Sequence, residues 1–194
     1  MRLSSLLLVG AASAAAWIYY RRKQGRSIIP GGILGDFSQH FSEREFQSRG
    51  RPLAPGTAEA YQRLAALTLE PARTIAQSVA GDGVVAVVVS GQRFADQNAE
   101  GGVRNSFHLP PQERPDAKFS GNPGVAADVQ FRRAGVPLTG AQHAQIAERV
   151  RASMRAGTIP AGGVSAYHVT WAPGAPGKTP FVHFDSRGAV VSWE

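Results

Sequence analysis

"NSFHLPPQERPDAKFSGNPGVAADVQF", Asn105 to Phe131, opens on a histidine, crosses a polar, proline-bearing loop and closes on an aspartate among small apolar residues. Its last part, "GVAADVQF", reads as a strand whose two-residue period puts Asp128 on the face of Ala126 and Gln130. In "PFVHFDSRG", Pro180 to Gly188, the same period places Phe181, His183 and Asp185 on one face and Val182 and Phe184 on the other. Polar groups on an apolar strand face must satisfy each other or something else. With His108 these strands offer His, Asp and His. That donor set suits a catalytic zinc, which keeps a fourth position for water and lowers its pKa to about 7.

The rest of the chain mixes helices and strands. "VVAVVV", Val84 to Val89, is a β-branched run between glycines and predicts a strand buried on both faces. "FSEREF" carries a Ser42–Glu45 capping box and predicts a short helix. Tyr61, Leu64, Ile75 and Val79 follow a Thr57 cap at helical spacing up to Gly81, with Pro71 set to kink or divide the helix. "TGAQHAQIAERVRASMRAG" is a helix with a Thr139–Gln142 box. "VSAYHVTW" is a strand with Tyr167 and His168 on opposite faces, and "AVVSW" reads as the hairpin partner of "FVHFD". His40 and His143 have no partner pattern and read as surface residues. Together these predict an α+β fold: a small, mostly antiparallel sheet with flanking helices, preceded by one N-terminal hydrophobic helix.

The 194 residues suffice for one domain with a core and an appendage. The absence of cysteine excludes a disulfide framework, a thiolate metal site and a cysteine nucleophile. The net charge of +7 is concentrated in residues 1–26, where Arg2, Arg21, Arg22, Lys23 and Arg26 stand without an acid. The remaining +2, with no basic helix bearing aromatics, argues against nucleic acid as a partner. "LSSLLLVGAASAAAWIYY", Leu3 to Tyr20, is eighteen residues without a charge, ending in aromatics before "RRKQGR". It is long enough to span a bilayer. A membrane anchor is the favoured reading. A signal segment cleaved near "ASA" and an Ala-rich segment able to leave the membrane are the alternatives. Positive-inside counting puts the body in the cytoplasm, whereas action on a cell wall needs the other side, so the orientation stays open. The expected division is 1–20 as anchor or signal, 21–36 as a Gly/Pro linker and 37–194 as the domain.

Sequence context adds to the ligand set. "SFH", "GVAAD" and "FVHFD", in that order, resemble the Ser-x-His, Gly-x-Ala-x-Asp and C-terminal His pattern of the D-alanyl-D-alanine carboxypeptidase and L-alanyl-D-glutamate endopeptidase family of zinc peptidases. This family shares its fold with the Hedgehog signalling domain. "FSEREF" resembles its opening helix, "VVVSGQR" its Ser-Gly-x-Arg turn, "NAEGGVRNSFH" its approach to the first histidine, and "VHFDSRG" through Trp193 the end of its small carboxypeptidase-like subfamily. The resemblance covers residues 37–194. It implies zinc ligands at His108, Asp128 and His183, and an Arg93 that holds the substrate carbonyl and its developing oxyanion. Otherwise Arg93 is a strand-end surface arginine. Ser106 either contacts substrate or shapes a turn.

Two features depart from the family pattern. His108 and Asp128 lie twenty residues apart, farther than is usual, with "PPQERPDAKFSGN" between them. Loop closure entropy grows slowly with length, so a site can survive such an insert, which reads as a candidate substrate-binding lid. The family's general base, a Glu three residues or a His two residues before the last ligand, is replaced by Pro180 and Phe181. Asp185 is the substitute the strand period offers; the competing reading is a carboxylate paired with Arg187. His168 is a further candidate, for the base or for substrate binding. "APGAPGKT" lacks the first glycine of a phosphate loop. The expected function is zinc-dependent cleavage of peptidoglycan stem peptides in a cell envelope, bacterial or phage-encoded. The alternative is a non-catalytic metal-containing module that binds wall peptide or serves a structural role.

Overall fold

The computed structural model describes residues 36–98, 106–116 and 121–193. The expected N-terminal hydrophobic helix and nearly all of the linker lie outside these residues, as does most of the "NAEGGVRN" segment. Among the described residues no helix is long and apolar enough to cross a membrane.

A 3-10 turn, Glu43–Phe46, opens the domain, with the Glu45 carboxylate accepting from Ser42 N and Oγ. Two helices follow, α1 (Ala58–Leu64) and α2 (Glu70–Ala80), joined without a break by a π turn, Ala65–Leu69. Pro71 sits in the first turn of α2. The widened turn just before it absorbs the missing N–H, so the helix passes through. Then come β1 (Val84–Ser90), a one-turn α3 (Ala95–Asn98), β2 (Ala126–Arg133), the two-residue β3 (Val136–Pro137), α4 (Gly140–Arg155), β4 (Gly163–Tyr167) and β5 (Phe181–Asp185).

The sheet is antiparallel, ordered β1-β2-β5-β4 with β3 paired to β2. This is the expected α+β architecture. One face carries Ala127, Val129, Phe131, Val164, Val182 and Phe184 into a core shared with α1, α2 and α4. In the same core Phe37, Phe41 and Tyr61 pack around Phe46, and the buried Tyr61 hydroxyl donates to Ala126 O at the start of β2.

Several expectations are corrected. β1 is not buried on both faces but forms the sheet's edge, with Val85 and Val89 about half exposed. Its β-branched run reflects strand propensity rather than cover. "AVVSW" does not pair with β5, because β2 and β4 already occupy both edges of that strand. Val191 instead bridges Gly163 in parallel, on the free edge of β4. His143 is not on the surface. It lies fully buried on the inner stripe of α4 with Ile146, Ala147, Val150 and Met154. His40 is only partly exposed, and Glu70 accepts from its backbone N and its ring.

Candidate metal centre

The face of the sheet opposite the core carries the site. Register places Ser90, Asp128, His183 and Ser165 side by side across β1, β2, β5 and β4. Asp128 and His183 therefore meet because their strands pair, as their periods require. His108 arrives from a loop. A turn shapes it, with His108 N donating to Ser106 Oγ at 3.2 Å and Leu109 N to Ser106 O at 3.0 Å. Two bonds then tie it to the end of β1: Arg93 N donates to His108 O at 2.7 Å, and His108 Nδ1 donates to Gly91 O at 2.6 Å. Gly91 has no room for a side chain, since a Cβ there would stand 2.4 Å from Phe46 O. The motifs "FSEREF", "SGQR" and "SFH" thus form one contact chain that aims His108.

A carbonyl only accepts, so the bond to Gly91 O places the His108 proton on Nδ1 and leaves Nε2 with its lone pair toward Asp128 and His183. Nε2 is 3.2 Å from Asp128 Oδ1 and 3.2 Å from His183 Nδ1, and these two are 2.8 Å apart. Tetrahedral zinc, with bonds of about 2.0–2.1 Å, spaces its donors by about 3.3 Å. The three residues are buried, and their donor atoms converge closely enough to hold a metal ion. The donor chemistry fits: two imidazoles and a carboxylate.

The electrostatics agree with that reading. Burial opposes ionisation of Asp128, but His108 and His183 outweigh it and hold the carboxyl well below the usual range. Burial, only partly offset by Asp128, pushes His108 down and keeps it neutral. For His183 burial is overcome by Asp128 and Asp185, and its pKa is raised. A proton and a cation would compete at that imidazole. Asp128's second oxygen accepts from Arg93 Nη2 at 3.0 Å, and Arg93 Nε donates to Ser90 Oγ at 3.0 Å. The Arg93 side chain stays one-third exposed, so it is anchored yet open to a ligand.

Asp185 has the other of its two sequence readings. It is buried, pairs with Arg187 through both oxygens and accepts from Gly163 N at 2.9 Å. It stands behind His183, with Oδ2 3.6 Å from Nε2. Gly163 makes that possible, since a Cβ would lie 2.4 Å from Asp185 Oδ2. A carboxylate so placed can orient the His183 ring, and both its oxygens are already engaged by Arg187 and the Gly163 amide. Ser106 likewise has its turn-forming role.

The two ends of the insert after His108 are tied together. Arg114 is buried at its centre and donates to the carbonyls of Leu109, Asn122 and Gly124, with its guanidinium over the Phe107 ring. Burial pushes its pKa down to about 10, which leaves it charged at neutral pH. The twenty-residue spacing is therefore bridged by a cation that gathers both ends of the insert, whose residues 117–120 lie outside the described residues.

β4 ends at Tyr167, and His168 leaves it in the left-handed region at φ 57°. Tyr167 pairs with Phe181 and so stands on the ligand face. It stacks on Phe181 at 4.9 Å, while the exposed His168 ring approaches the same phenylalanine edge-on at 5.8 Å. Trp193 packs edge-on against His183 at 5.3 Å. Sequence reasoning missed Tyr167 and Trp193. Tyr167 was recoverable from pairing "VSAYH" with "FVHFD"; Trp193 was not, because a single bridge positions it. No family model, no curated protein and no solved structure matches the chain.

Proposed function

We propose that the chain is a zinc-dependent peptidase that cleaves peptidoglycan stem peptides, of the D,D-carboxypeptidase or L-Ala-D-Glu endopeptidase type. The observation that carries this reading is the convergence of His108 Nε2, Asp128 Oδ1 and His183 Nδ1 within 3.2 Å of one another. The order of motifs around those residues supports the substrate class. His108, Asp128 and His183 would hold the zinc, which when bound polarises a carbonyl and lowers the pKa of water to about 7. Arg93, fixed by Asp128 and Ser90, would direct its open guanidinium edge at the substrate carbonyl and the charge that develops there. Asp185 orients His183. The proton-accepting role is assigned to His168, whose ring packs edge-on at 5.8 Å against Phe181, the residue two before His183. A cell-envelope location, reached through the N-terminal apolar segment, belongs to the same proposal.

Titration of the purified chain with zinc, followed by digestion of peptidoglycan and mass analysis of the products, tests it. One bound zinc and released alanine or cleaved stem peptides are expected, and His183→Ala should lose both. A second reading, a metal-containing module that binds wall peptide without cutting it, is favoured by one observation: both carboxylates at the centre are already paired. Zinc binding without cleavage would select it.

A further inference from the structure

We propose that the Tyr167 hydroxyl is a second substrate-contacting donor of this centre, set on the wall opposite Arg93 and hydrogen-bonded to an oxygen of the bound peptide. This rests on the peptidase reading above. Residues opposite each other in an antiparallel pair share a face. Tyr167 pairs with Phe181, and Phe181 lies two residues before His183, so the phenol stands on the ligand face one row along from the metal ligands. The strand order puts β2 and β5, with Asp128 and His183, between Tyr167 on β4 and the Ser90 end of β1 that leads to Arg93.

The hydroxyl is held in place with its proton left over. Tyr167 Oη lies 2.5 Å from Trp193 Nε1. An indole N–H can only donate, so the phenol oxygen is the acceptor and its own O–H must point elsewhere. Among the described residues it makes no other hydrogen bond. Trp193 is itself fixed: Ser165 Oγ donates to its carbonyl at 2.8 Å and accepts from its N–H at 2.9 Å, and its ring packs on His183. Ser165 in turn pairs with His183 in the sheet. One rigid chain therefore connects a metal ligand to the phenol. A phenol keeps its proton at neutral pH, and burial, only partly opposed by the Trp193 hydrogen bond, pushes this one further up. The acceptors a stem peptide brings are carbonyl and carboxylate oxygens, and the carboxylates of the centre are already engaged by Arg93 and Arg187.

The test uses the full zinc-loaded chain, a stem pentapeptide as substrate, and a phosphinate analogue of D-Ala-D-Ala as binding probe. Tyr167→Phe keeps the stacking on Phe181 and should keep zinc stoichiometry and thermal midpoint. It should lose about ten-fold or more in kcat/KM, and likewise in phosphinate affinity if the wild type only binds. The double variant Tyr167→Phe/Trp193→Phe removes the stranded indole N–H as well. Under the proposal it stays as impaired as the single variant; recovery to wild-type turnover would show that only the indole mattered and overturn the proposal. Equal turnover and equal phosphinate binding by Tyr167→Phe and the wild type would overturn this contact alone. A wild type that neither cleaves the peptide nor binds the phosphinate would remove the peptidase reading and this contact with it.

Discussion

The His183 imidazole stands between two carboxylates, with Nδ1 2.8 Å from Asp128 Oδ1 and Nε2 3.6 Å from Asp185 Oδ2. The two acids differ in role because their own partners differ. Asp128 shares the ligand side with His108, whereas Asp185 is enclosed by Arg187 and the Gly163 amide. A charge on the far side of a ligating imidazole fixes its tautomer and makes the ligating nitrogen more basic. Asp185→Asn should therefore still take up one zinc at saturation but bind it about 10- to 100-fold more weakly. Competition against a chelator measures this. An affinity within two-fold of wild type would leave Asp185 as an ion pair with Arg187 and nothing more.

Arg93 is the residue on which catalysis and mere structure part most cleanly. Its guanidinium is anchored at two points yet one-third exposed. Arg93→Ala should keep zinc while kcat on a stem peptide falls about 100- to 1000-fold, the usual loss for a donor to a developing oxyanion. Arg93→Lys should recover little, since an ammonium cannot reproduce the planar fork. Loss of zinc in both variants would instead make Arg93 a support for Asp128 only.

What the sequence reveals follows from how each residue is positioned. Asp128 and His183 were readable because a strand's period is local and both lie on strands that pair in register. The α+β class was readable for the same reason. His143 was not: a histidine in the apolar stripe of α4 looks polar by type, and only the 143, 146, 147, 150, 154 spacing marks it as internal. The edge position of β1 and the path of the tail to β4 depend on which strands are already paired, a long-range fact with no local signature. Trp193 beside His183 belongs to that class.

Arg114 gives a prediction about the long insert. Its three anchored carbonyls span Leu109 to Gly124, and those of Leu109 and Gly124 are buried with it. Arg114→Ala leaves them without a donor, which should cost about 3 kcal/mol in urea unfolding and weaken zinc binding through the loosened His108 turn. Arg114→Lys should rescue only part, as a lysine cannot span the same acceptors. A cost below about 1 kcal/mol, small on the scale of a lost buried partner, would show that the loop is held by other contacts.

His143 makes a pH prediction that is separate from the metal centre. Its Nε2 lies 3.0 Å from Phe131 N, an obligate donor, and its Nδ1 lies 3.0 Å from Thr139 O, an obligate acceptor. The ring must then be neutral, with its proton on Nδ1, and a second proton would set two N–H groups against each other. Burial pushes its pKa down, and its hydrogen bonds to the backbone oxygens of Thr139 and Leu138 offset this only in part. For a group whose folded pKa is depressed, the unfolded chain binds the proton first as pH falls. His143 therefore contributes full stability above about 6.5, the unperturbed histidine value, and loses it progressively below. His143→Gln retains a side-chain acceptor for Phe131 N but does not titrate. In urea unfolding between pH 7.5 and pH 5 the wild type should lose more stability than this variant, and the difference between them cancels every contribution the two proteins share. Parallel pH curves for the two proteins would mean that the buried imidazole does not titrate on unfolding, against the geometry of its two bonds.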